Sequence, residues 1–71
     1  MNDIEREALS VQALCIASVH HFHLARDAKQ RDDMEGWRDQ LTRAATFGEA
    51  ASAAGCEAHP GKEARALLDA E

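Results

Sequence analysis

The sequence is short of the residues that usually hold a small domain together. Its 71 positions include one proline, two cysteines, two phenylalanines, one tryptophan and no tyrosine. The hydrophobic class reaches 45%, but fifteen of those residues are alanine and only fifteen are larger than alanine or cysteine. A chain of this size buries only about 60% of the surface its unfolded form exposes. With half of the apolar complement present as methyl groups, a lone core is marginal. The expectation is a helical protein that completes its core with a second copy of itself or with a partner.

Other absences exclude whole classes. No run of 18 apolar residues exists, so no membrane-spanning helix is expected. The opening MNDIERE is acidic and lacks the basic region of a secretory signal, which points to a cytoplasmic protein with two reduced thiols and no disulfide. Thirteen acidic side chains against eight basic ones give a net charge of −5, the wrong sign for a nucleic-acid binder. A single proline and the hydrophobic content argue against disorder. Arginine outnumbers lysine and alanine is abundant, as in proteins of GC-rich bacteria and their phages.

Helical periodicity is the strongest positive signal. From about residue 3 to residue 31 no Gly or Pro interrupts the chain, and Ile4, Ala8, Val11, Cys15, Val19 and Phe22 fall on one stripe at helical spacing. Asn2 and Glu5 have capping-box spacing, and the acids of the first turns and the bases of the last suit the helix dipole. Asp32 and Glu35 repeat that spacing, so a second helix is expected over about 33–54. Its core face is Met34, Trp37, Leu41, Ala44, Ala45 and Gly48. Ala44, Gly48 and Ser52 place small residues where another helix can approach closely, and Gly55 is a natural terminator. A loop over 55–61 containing His59-Pro60-Gly61 then leads to a short helix over about 62–70 with Ala64, Leu67 and Leu68 on its apolar side.

The stretch Leu24–Ala44 resembles a tetratricopeptide hairpin. Leu24, Ala25 and Ala28 are followed by Asp32-Asp33-Met34 and then by Trp37, Leu41 and Ala44 at that repeat's spacing. Trp37 stands where the repeat has a small residue, the repeat's Tyr and Pro are missing, and no second repeat follows. The resemblance implies a packed antiparallel hairpin rather than a solenoid, which needs about three repeats.

The first helix has more apolar surface than one partner can cover. Leu9 and Ile16 lie well away from its main stripe, and Leu14 lies on the other flank. Two-fold dimers are the commonest assemblies, and two hairpins make a four-helix bundle. The expected fold is therefore all-α, a hairpin plus a short C-terminal helix, assembled as a homodimer. Its expected contact residues are Leu9, Leu14 and Ile16, with His20 and His23 at the edge and Phe47 as a partly exposed contact. Contacts edged by imidazoles weaken as these charge in mild acid.

Chemistry-bearing residues are sparse. His20, His23, Cys56 and His59 have the types and local spacing of a tetrahedral zinc site, an alternative that requires the C-terminal segment to fold back onto the first helix or the site to close across a dimer. Without that, no metal or cofactor is expected. No Ser-His-Asp grouping, phosphate-binding loop or paired-carboxylate signature is apparent, so no enzyme is expected. The second and third segments carry the acidic surplus. The expected function is that of a small acidic interaction protein, an inhibitor or regulator that masks another protein, including one with a basic surface. The alternatives are a DNA-associated transcriptional regulator, which would need a basic recognition helix, and a zinc-stabilised structural or sensor module.

Overall fold

The computed structural model describes the backbone of residues 3–70 and the side chains of residues 10–70. The Asn2–Glu5 capping box and the expected roles of Ile4, Ala8 and Leu9 lie outside the described residues. What is described is all helical, with α1 spanning Asp3–Gln30, α2 Met34–Ala53 and α3 Gly61–Asp69, and no strand. α1 and α2 pack as an antiparallel hairpin, and α3 packs against α2. The result is elongated, 45 × 19 × 14 Å.

The turn between α1 and α2 takes three residues because two caps share it. Asp32 adopts φ 59°, in the left-handed region. Asp32 N–H donates to the Lys29 carbonyl and Asp33 N–H to the Ala28 carbonyl, the bonding pattern of a Schellman end. Aspartate is one of the few non-glycine residues that tolerates this backbone. Asp33 then starts α2, its Oδ1 accepting from Gly36 N–H at 2.9 Å. The Asp32–Glu35 capping box is thus corrected by one residue: Asp32 ends α1, and Asp33 caps α2. The end of α2 repeats the device with glycine. Gly55 has φ 95°, its N–H donates to the Ser52 carbonyl, and Cys56 N–H donates to the Ala51 carbonyl.

The core is built mainly of alanine. Ala25, Ala28, Ala44, Ala45 and Ala64 surround Trp37 and Leu41, with Phe22 and Leu68 packed on its margin. Three residues expected on apolar faces are exposed, among them Leu67 of α3 at 41%. Val19 is 37% exposed and Met34 47% exposed, while Ser18 takes the inward position on α1 with no exposed surface. Ser18 Oγ donates to the Ala44 carbonyl at 2.7 Å, which satisfies a hydroxyl that would otherwise be costly to bury. The reason is steric. The inward face of α1 carries Ser18, Ala25 and Ala28 against Ala44, Ala45 and Gly48 of α2. Small residues on both sides bring the helices close, so size selects the contact face and Val19 is turned to the flank.

Gly48 marks the closest approach. A Cβ built there would lie 2.6 Å from Gly61 Cα, 2.7 Å from His59 Nδ1 and 3.0 Å from Ser18 Oγ. The small residues at 44, 48 and 52 therefore admit the start of α3 as well as α1.

Candidate interaction surface and the Cys15–Cys56 junction

The outer side of α1 is uncovered over its middle turns. Ile16 is 61% exposed, and Val19, His20 and His23 are exposed beside it. Together with Cys15 of α1 and Ala58 of the α2–α3 loop they line an open cleft of about 380 Å³. Leu14 is half-buried. Leu9, the remaining expected contact on α1, lies outside the described side chains. Phe47 is not part of this surface: it is half-buried and stacks on His21, ring centres 5.4 Å apart, while His21 Nδ1 donates to Gln40 Oε1 at 2.6 Å. His20 meets His21 edge-on.

Cys15, one of the residues lining the cleft, is covalently linked to the loop. Cys15 and Cys56 form a disulfide across 41 positions of sequence, which corrects the expectation of two free thiols. Their Cα atoms are 7.2 Å apart, just beyond the ordinary range of about 4.4–6.8 Å. The contact arises because the Gly55 end of α2 turns the chain back, bringing Cys56 alongside the buried face of α1, where Cys15 is only 7% exposed.

The loop that carries Cys56 is folded by a polar cluster that the sequence reading did not anticipate. Gly61 N–H donates to His59 Nδ1 at 3.0 Å. That assigns the ring proton to Nε2, which lies 3.0 Å from the Cys56 carbonyl and 2.9 Å from Ser52 Oγ. Ser52 in turn donates to Glu57 Oε2 at 3.0 Å. Serine, histidine and carboxylate are adjacent, but the bonds run the wrong way for nucleophilic catalysis. The ring donates toward Ser52, and its other nitrogen is occupied by a backbone N–H, so His59 is not placed to take the hydroxyl proton. The cluster closes the loop and starts α3. The seven-residue interval between Ser52 and His59 is a signal only once Gly55 is known to reverse the chain between them.

The four residues of the zinc alternative do not converge. Cys56 is bonded to Cys15, both nitrogens of His59 are engaged in the loop, and His20 and His23 line the outer cleft. Among the described residues no group of three or more metal-type side chains is placed to hold an ion.

Exposed ion pairs lie within α2 and between α2 and α3. Arg43 Nε lies 3.3 Å from Asp39 Oδ2, and Arg65 Nε 2.9 Å from Glu49 Oε1. The hydrogen bond and charge of Glu49 raise the Arg65 pKa above its ordinary value. Thr42 and Thr46 donate to the carbonyls four residues back, at Arg38 and Thr42, so each hydroxyl proton is used within α2. A second cleft of about 410 Å³ between α2 and α3 has Glu49, Ser52, His59 and Arg65 among its lining residues. No helix among the described residues is long and apolar enough to cross a membrane.

Compared with known protein families, curated proteins and solved structures, the chain matches none.

Proposed function

We propose that the protein is a small helical binding module that self-associates through the outer face of α1 and acts on another protein by masking it. The observation that supports this most is the exposure of Ile16. A β-branched residue stands 61% exposed beside Val19 on a helix whose other side is occupied by α2, while the large, well-buried side chains among the described residues of the core are Trp37 and Leu41. Apolar surface left out of a core this thin is surface a second subunit would remove from water. A two-fold pairing presents the same patch from both copies, with Ile16 and Val19 at its centre and His20 and His23 at its edge.

The masking role draws on charge. The protein carries −5 overall, and its acidic surplus lies in α2, α3 and the segments flanking them. That sign suits a partner with a basic surface, including a DNA-binding site it would block. The DNA-associated alternative is less well supported, because Arg43 and Arg65 are each held by a carboxylate.

Equilibrium sedimentation of the wild-type chain and of Ile16→Glu tests the self-association. The expected result is a dimer for the wild type and a monomer of unchanged helix content for the variant. A wild-type chain that stays monomeric at several hundred micromolar would overturn the reading.

A further inference from the structure

We propose that the Cys15–Cys56 pair is a thiol–disulfide exchange site whose redox state decides whether the α2–α3 loop is fastened to α1. The hydrogen bonds that fold the loop run to α2 and to the first residue of α3: Cys56 N–H to the Ala51 carbonyl, Ser52 Oγ–H to Glu57, His59 Nε2–H to Ser52 Oγ, and Gly61 N–H to His59 Nδ1. Among the described residues, the bond that ties the loop to α1 is the disulfide. The loop is thus closed on itself by polar contacts and attached to α1 by a bond that chemistry can break without disturbing those contacts. At the other end of the hairpin, Ala25, Ala28, Trp37 and Leu41 hold α1 to α2 with no part in the cross-link. Reduction therefore frees the loop and the turns of α1 around Cys15, and leaves the remainder folded.

The exposures of the two sulfur-bearing residues set the course of the reaction. Cys15 is buried, whereas Cys56 is half-buried on the loop. The thiolate of a dithiol reductant attacks Cys56 Sγ, the S–S bond breaks, and Cys15 leaves as a thiolate that takes up a proton. The reductant's second thiol attacks the resulting mixed disulfide, releases Cys56 as a thiol, and closes the reductant's own disulfide. Two electrons and two protons pass to the protein. Exchange with a low-molecular-weight disulfide runs the sequence in reverse.

The pair also shapes the outer cleft, since Cys15 and Ala58, two residues beyond Cys56, both line it beside Ile16 and Val19. Oxidation completes that surface, and reduction removes its loop wall. This last step rests on the self-association proposed above, whereas the exchange site itself does not.

Hydrogen-exchange mass spectrometry on the full chain, oxidised with glutathione disulfide or reduced with dithiothreitol, tests the site. On reduction, exchange over residues 10–17 and 54–60 is expected to accelerate at least tenfold while residues 25–28 and 37–45 are unchanged, and reoxidation restores the first pattern. A Cys15→Ala/Cys56→Ala chain is expected to show the reduced pattern with either reagent. A native pair that dithiothreitol does not reduce, an unchanged pattern, or equal acceleration along the whole chain would each overturn the proposal, the last by showing a staple on which the entire fold depends. Sedimentation of the same samples separates the two readings. Dimer affinity at least fivefold weaker after reduction supports both, whereas a chain monomeric in both states with the segmental exchange pattern intact retains the exchange site and removes only the self-association.

Discussion

The two ends of the hairpin are held together by different means. Near the α1–α2 turn, Trp37 and Leu41 are enclosed by alanines of all three helices, and two aspartates close the turn. Among the described residues of the other end, no large side chain is buried. Instead there are a buried serine bonded to a carbonyl, a disulfide, a glycine-to-glycine approach and the His59 cluster. One end is stabilised chiefly by apolar burial, the other by a few directional or covalent links. Where residues are too small to fill space, specific bonds fix the geometry, and such bonds can be broken one at a time. Lys29 Nζ, 5.1 Å from the Trp37 ring centre, adds a cation–π contact to the apolar end.

Substitutions at the two ends test this difference. The largest effect is expected at the turn end: Trp37→Ala removes the biggest core side chain and costs about 3–5 kcal/mol, measured by chemical denaturation. A loss below about 1 kcal/mol would show that the alanine-rich core does not depend on its aromatic centre. At the far end, Gly48→Ala forces a methyl against the Gly61 backbone and costs about 1–3 kcal/mol, with faster exchange over α3 than over residues 22–28. Equal acceleration in both regions would remove the distinction between the ends. Ser18→Ala, measured in the same way, costs about 1 kcal/mol because one buried hydrogen bond is lost. Asp33→Ala loses the α2 cap, for a similar ~1 kcal/mol confined to the turn end. The smallest effect is expected for Arg65→Ala, whose exposed pair with Glu49 leaves the thermal midpoint unchanged within error; a clear drop would make charge a part of the far end's stability.

Much of the secondary structure was legible because helix signals are local. The absence of Gly and Pro in the first segment, the 3.6-residue spacing of Trp37, Leu41 and Ala44, and Gly55 as a terminator each act within a few residues. The hairpin followed from a polar, aspartate-rich turn between two such stretches. The face of α1 was less legible. Ranking residues by hydropathy selects Val19, whereas the structure buries Ser18, because the distance between helices is set by the smallest residues facing each other. Neighbours in sequence were informative about caps only to within one residue, since Asp32 and Asp33 can each play either part.

The candidate site shows the same division. Ile16, His20 and His23 were identifiable as residues off the main stripe, because a helix wheel needs only the sequence. That Phe47 stacks on His21, and that His59 is committed to Gly61 and Ser52, depends on which elements meet. The pairing of Cys15 with Cys56 was the least accessible. Two cysteines 41 residues apart carry no local information about their separation in space, and compartment arguments alone favoured free thiols.

By itself the sequence determined a helical chain, a hairpin with its turn near Asp32, an apolar complement dominated by alanine, and an acidic surface, because all of these follow from composition and from interactions within one or two helical turns. The tertiary structure alone decided which face of α1 is inside, where α3 docks, and that two distant cysteines meet. Those outcomes depend on how closely small residues allow two backbones to approach, and that distance is a property of the pair of surfaces rather than of either sequence stretch.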